Sequence, residues 1–197
     1  MIHAPGLFID PIRQWTKIRD QDPSPASVFF SHTLIFALIA PICGYYGTTV
    51  TGWSFGGGAA VRLTPSSALQ ISVLYYLATL VTAVSVAATI KWMSSTYGAS
   101  ISTGKALALA SYSATPLFLV GFVELWPILW VNLIAGLPAL AFTIYLFYTG
   151  VPIVLDIPKE RGFLLSSAMM GFGLVALVAL LASTALLWGF GVMPQFA

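Results

Sequence analysis

The chain has 197 residues, 58% of them hydrophobic and only 7% charged, with a mean hydropathy of +0.92. A water-soluble domain carries about a quarter charged residues to cover its surface, so the main solvent of this protein is lipid. Eight Lys and Arg against six Asp and Glu, with no basic run, exclude a nucleic-acid partner, and the lone Cys43 excludes an intramolecular disulfide or a Cys/His metal spacing; no metal or cofactor is expected.

At the N-terminus, Asp10, Asp20 and Asp22 precede the first apolar run, where a secretory signal would place a short basic region, so this segment is expected to be retained. In "DPIRQWTKIRD", Asp10 suits an N-cap and Pro11 the first helical position. Ile12, Trp15 and Ile18 then share one face while Arg13 and Lys17 lie elsewhere, the pattern of an amphipathic helix lying in the membrane interface. Trp15 is expected at headgroup depth, with Arg13 and Lys17 near anionic lipid; the alternative use of the same face is docking a partner. "DQDPSP" reads as an extended elbow, because residues before proline avoid the helical region.

A helix needs roughly 20 apolar residues to cross about 30 Å of hydrocarbon, and five runs qualify, near 28–47, 68–92, 104–123, 127–148 and 163–191. In the first, His32 reads as a satisfied interfacial residue. The first loop holds "GWSFGGG", which lacks the Lys-Ser/Thr of a phosphate cradle and reads as a flexible loop. Span three carries "SYSATP". Pro116 supplies no N–H to the Tyr112 carbonyl, so that carbonyl needs a Ser or Thr hydroxyl, water or a neighbouring helix, and Ser111, Tyr112, Ser113, Thr115 and Pro116 form a candidate midplane polar site. Pro41 and Pro138 also fall inside spans, so three interrupted helices could enclose a pocket, the alternative being simple kinks with local repair.

The run from 104 to 148 is too long for one crossing, so "ELWP", Glu124 to Pro127, is read as the turn of a helical hairpin, with Pro127 in the first turn of the returning helix. Glu124 lies in an apolar setting and Arg62 in the first loop is the natural partner for its carboxylate, so the two are expected to pair and pin that loop onto the turn. In "TGVPIVLDIPKERG", Pro152 and Pro158 are expected to break helix on either side of "IVL". Asp156, Lys159, Glu160 and Arg161 then read as a solvated charge run. Small residues at four-residue spacing (Thr79, Ala83, Ala87; Ala106, Ala110, Ala114; Ser167, Gly171; Ala179, Ser183) read as surfaces for close helix packing, within one bundle or in a homo-oligomer.

Seven of the eight basic residues, Arg13, Lys17, Arg19, Lys91, Lys105, Lys159 and Arg161, fall on one side of this arrangement and only Arg62 on the other. The positive-inside rule puts the rich side in the cytoplasm. The expected architecture is all-α: a polytopic bundle of five transmembrane helices, N-in and C-out, over residues 28–197, with 1–27 a cytoplasmic segment carrying a short amphipathic interfacial helix. No Asp, Glu, His or Lys sits at mid-span, and GxSxG and HExxH motifs are lacking, which argues against an ion-coupled transporter and an enzyme.

The segments "DPIRQWTKI", "YSATPLFLVGFVELWP" and "YLFYTGVPIVLDIPKERG" resemble the bacterial branch of the Yip (Ypt-interacting protein) family of integral membrane proteins. The resemblance runs from about residue 8 to 185 and is most specific at Tyr112, Ala114 and Pro116, and at Tyr145, Gly150, Pro152 and Pro158. It implies a fold and an inner-membrane location rather than a settled activity. Eukaryotic relatives are implicated in Rab GTPase binding through a long cytosolic N-terminal region; that region is only about 27 residues here and their DLYGP-type motif is absent, so Rab binding does not carry over. The functional expectation is a non-enzymatic membrane-organising or accessory protein. Its cytoplasmic contacts with a protein partner or membrane lipid would be Arg13, Trp15, Lys17, Asp156, Lys159, Glu160 and Arg161. The alternative is a small transporter or lipid-translocating protein using the Pro116 region.

Overall fold

The structure, a computed structural model, describes residues 4–189 and 193–197, and among them it is helical with no strand beyond isolated backbone bridges. The elements in order are α1 (Ala4–Ile9), α2 (Pro11–Gln21), α3 (Pro25–Thr51), α4 (Pro65–Ser94), α5 (Thr103–Ser113), α6 (Thr115–Val120), α7 (Leu129–Leu155) and α8 (Lys159–Gly189). Four starts share one local device, a short oxygen side chain that accepts the N–H three residues on: Asp10 from Arg13 at 3.1 Å, Ser24 from Ser27 at 3.2 Å, Thr64 from Ser67 at 3.4 Å and Ser102 from Lys105 at 3.2 Å. Three of these caps precede proline, whose missing N–H has no partner to lose there.

Three of the described helices, α3, α4 and α7, are long and apolar enough to cross a membrane; α5 and the segment Thr115–Leu125, bent by 41° at Ala114, count as a fourth if the bent pair is one span. At 27 residues, α3 and α7 each extend about 40 Å, more than the hydrocarbon needs. The observed bounds exceed the expected ones at most ends. Span one is not uniform: π-helical turns occupy Phe29–Thr33 and Gly47–Thr51, and the helix is interrupted at Leu38, where Pro41 offers no N–H to the Ala37 carbonyl. The expected end of span five at 191 lies outside the described residues, as does the side chain of Ser183.

Helix α5 is the centre of the bundle. Gly104 and every residue from Ala106 to Ser113 are buried, packed by α3, α4 and α7, whereas α4 and α7 present most of their surface outward. Two prolines behave differently from expectation. Pro152 does not break the helix; α7 runs through Pro138 and Pro152 to Leu155 and stops at Asp156, which takes the left-handed conformation at φ 54°. In apolar surroundings an interruption would strip several backbone groups of partners, while a proline within a continuous helix removes one hydrogen bond. The returning helix also starts at Leu129 rather than at Pro127.

The amphipathic helix α2 forms as expected, and its Trp15 packs into the protein rather than facing lipid. Trp15 and Ile18 are fully buried in the same core cluster as Leu7, Leu109, Leu146 and Val151, and only Ile12 of that face is exposed. Gly150 makes this possible: a Cβ there would lie 2.7 Å from the indole, so its absence leaves the seat into which Trp15 packs. Burying the indole against α7 removes more apolar surface from water than resting it at an interface. Residues 4–21 are thereby part of the bundle.

Candidate functional site

The break in span three collects the polar side chains of the membrane interior. With Pro116 unable to donate to Tyr112, the Thr115 hydroxyl donates to that carbonyl at 2.7 Å, the local repair such a break requires. Thr115 Oγ1 also lies 3.2 Å from His32 Nε2. A hydroxyl carries one proton, so with it directed at the carbonyl the imidazole donates through Nε2. One residue on, Thr33 Oγ1 is 2.8 Å from Ser111 Oγ and 3.4 Å from the Val28 carbonyl, so Ser111 donates to Thr33 and Thr33 to the carbonyl. The π-helical turn Phe29–Thr33 sets both His32 and Thr33 toward α5, a use such turns often serve at functional sites. Around His32, the Phe36 ring is stacked at 4.3 Å and Tyr112 meets it edge-on at 4.6 Å.

Of the expected midplane residues, Ser111, Tyr112 and Thr115 therefore come together and Pro116 is buried with them. Ser113 does not join, because it lies on another face of α5. His32, read from the sequence as a satisfied residue, is indeed hydrogen-bonded; it is 2% exposed and central to the cluster. Its signal in the sequence is the polar triplet "SHT" inside an apolar run, matching the polar "SYSAT" of span three. Each group here answers another, so the cluster suits holding the bend in place rather than passing a charged solute.

Ser113 instead faces a cavity of about 410 Å³ bounded by α3, α4, α5, α7 and α8. Its walls include Thr79 and Ala83 of α4 and Ala110 and Ala114 of α5, so these small-residue stripes frame a space as well as allowing close packing; at Gly171 and Gly173 of α8 a Cβ would meet nothing within 4 Å. Lower on the same helices, Ala87 and Ala106 are both buried in the one core cluster.

The charged residues expected at one end do gather there. Arg19 lies 3.6 Å from Asp156, Lys105 lies 3.9 Å from Asp22, the Ser102 hydroxyl donates to Asp22, and the Lys91 amine donates to Thr103 at 2.7 Å. Arg13, Lys17, Lys159, Glu160 and Arg161 are exposed around this network, with no ion pair among the described residues, while Trp15 is inside it.

At the opposite end the Arg62–Glu124 pair does not form among the described residues. The Tyr75 hydroxyl donates to Glu124 Oε1 at 3.3 Å, and the carboxylate rests against Gly44. A phenol from the neighbouring helix satisfies it without tethering a long, exposed side chain. Loop one is nevertheless fixed to the hairpin turn at its base: Trp53 and Val61 exchange backbone hydrogen bonds at 2.7 and 2.9 Å, Ser54 donates to the Pro127 carbonyl at 3.1 Å, and Leu129 donates to Ser54 at 2.9 Å. The tail joins it, with Ala197 donating to the Arg62 carbonyl and Thr64 to Gln195, both at 2.9 Å.

The family model of the Yip1 domain matches residues 6–180 of this chain. The chain is similar to "Inner membrane protein YohC" of Escherichia coli strain K12, at 38% identity over 191 residues, covering 97% of this chain and 98% of that protein. The same figures hold for "Inner membrane protein YohC" of Escherichia coli O6:H1. No solved structure matches the chain.

Proposed function

The chain belongs to the Yip1 domain family, and from that premise we propose that it is a non-enzymatic accessory protein of the bacterial inner membrane that organises its surroundings by binding a protein partner at its basic end. The similarity to an inner membrane protein over nearly the full length of both chains supports the location. A five-span, N-in and C-out arrangement is supported by α8, whose 31 residues extend about 46 Å. It is also supported by the grouping of contacts at the ends: α2, Ser102 and Asp156 lie together at one end, and loop one, the hairpin turn and residues 195–197 at the other. That grouping is the one an odd number of crossings gives, and the seven-to-one distribution of Lys and Arg supports α2 on the inner side.

The observation that carries the partner reading is the docking of α2. Burial of Trp15 and Ile18 turns a short segment into a rigid platform, and it holds Arg13 and Lys17 outward at the end that also carries the exposed Lys159 and Arg161. Charges fixed in place, these cations among the acidic Asp10, Asp20 and Glu160, steer a partner of complementary pattern and set its register. A photoreactive phenylalanine analogue in place of Lys17, irradiated in intact cells, tests this. A discrete, saturable protein adduct that disappears in Lys159→Glu/Arg161→Glu supports the reading. Adducts with lipid alone, or a protein adduct indifferent to the reversal, contradict it.

A further inference from the structure

We infer that the cavity between α4, α5 and α8 is a binding site for a neutral lipid, an apolar chain bearing an uncharged carbonyl or ester oxygen, which enters sideways from the bilayer. Its volume of about 410 Å³ falls within the roughly 300–1,000 Å³ of ligand sites. The residues that make it are small ones: Thr79 and Ala83, Ala110 and Ala114, and Gly173. A transmembrane helix from a partner does not fit, because a single turn about 10 Å across and 5.4 Å high already occupies on the order of 400 Å³. A single chain does.

The polar content of the wall narrows the ligand further. Among the described residues no Asp, Glu, Lys or Arg lines the cavity, so a phosphate or carboxylate would enter uncompensated, at heavy desolvation cost. The Thr79 and Thr82 hydroxyls are spent on the Tyr75 and Ala78 carbonyls of their own helix, at 2.9 and 2.8 Å. Ser113 Oγ and Thr143 Oγ1 are different: both atoms are buried, both residues line the cavity, and neither atom has a hydrogen-bond partner among the described residues. Ser113 is 2% exposed. Two hydroxyls in an otherwise apolar wall are few for ordered water, which takes about two to four polar partners, but they match one or two neutral acceptor oxygens.

Depth and access agree with this. Ser113 is the eleventh residue of α5, about 15 Å along the helix and so near the middle of about 30 Å of hydrocarbon. The ester of a phospholipid anchored by its headgroup stays at the surface; that of a lipid without a charged headgroup is free to reach this depth. The cavity opens toward lipid between α4 and α8, where Ala78, Thr82 and Gly173 are uncovered.

The test uses the full chain in nanodiscs with a diacylglycerol carrying a diazirine in one acyl chain, compared with phosphatidylglycerol carrying the same group. Labelling is read by peptide mapping, with and without unlabelled diacylglycerol or an unlabelled isoprenoid quinone as competitor. The diacylglycerol probe should label the α4 and α8 segments around Thr82 and Gly173 saturably, above the level on the outward face of α7 at Ile134 and Leu137. Whichever competitor removes the label identifies an ester or an isoprenoid source. Gly173→Leu, which grows into the cavity, should reduce this label to the α7 level without lowering the melting temperature. Ser113→Ala/Thr143→Val keeps the space and should weaken saturable labelling about threefold to tenfold, the worth of one or two hydrogen bonds; it decides the matter if Gly173→Leu does not fold. Label that neither competitor removes, equal labelling by the phosphatidylglycerol probe, or labelling unchanged in the double variant overturns the proposal.

Discussion

The two ends of the bundle are closed by different chemistry. At the basic end side chains do the work: Trp15 packs on Gly150, Arg19 reaches Asp156, and Lys105 and Ser102 converge on Asp22. At the opposite end the backbone does it. Loop one, the hairpin turn and the tail exchange main-chain hydrogen bonds, and glycines let chains touch, since a Cβ on Gly47 would fall on the Glu124 carbonyl and one on Gly121 would lie 2.7 Å from Ala40. An end built from side chains is sensitive to what is removed. One built from backbone contacts tolerates truncation and is sensitive to what is added.

The largest effect is therefore expected from Trp15→Ala, which empties a fully buried site and should cost about 3–5 kcal/mol, the range for large aromatic truncations, read as a loss of thermal stability in detergent. Trp15→Phe sharpens the point. The indole Nε1 is buried without a partner among the described residues, so the phenyl ring gives up volume but no hydrogen bond, and its cost should be well under half that of alanine. Gly47→Ala comes next, at about 1–3 kcal/mol, because a methyl group must displace the Glu124 carbonyl. Tyr75→Phe should cost about 1 kcal/mol, since it removes a single long hydrogen bond from Glu124. Arg62→Ala is smallest, within about 0.5 kcal/mol, as expected of an exposed side chain with no ion pair. If Arg62→Ala proves costlier than Tyr75→Phe, side chains also hold the opposite end and the contrast fails.

The same contrast explains what was legible in the sequence. Features governed by neighbouring residues can be read directly: Asp10 before Pro11 caps α2, and Thr115 repairs the carbonyl that Pro116 leaves at Tyr112. The apolar runs mark the membrane helices because their length answers to the thickness of the bilayer. The backbone pairing of Trp53 with Val61 and of Ser54 with Leu129 leaves no side-chain signature, so the glycines of loop one read as slack. Glu124 has two potential partners, and helix packing brings Tyr75 to it, a choice that composition does not express. The direction in which His32 points is hidden for a related reason: a π-helical turn shifts the register by a residue relative to an α-helix. The stripes of small residues indicate where helices face each other but not whether they close, and around Ala110 and Ala114 they stand apart.

An odd number of crossings separating two chemically distinct ends underlies the partner reading, and side-selective labelling tests it most directly. In a Cys43→Ala background, single cysteines are placed as Gly57→Cys, Ala197→Cys, Lys17→Cys and Lys159→Cys and treated with a membrane-impermeant maleimide; Gly57 has open space around its Cβ position, and Ala197 is bonded to the carbonyl of Arg62 in loop one. The account predicts that Gly57→Cys and Ala197→Cys are labelled on intact cells, and that Lys17→Cys and Lys159→Cys react only after permeabilisation. Labelling of Gly57→Cys and Ala197→Cys from opposite sides, or of Lys17→Cys together with Gly57→Cys, contradicts it.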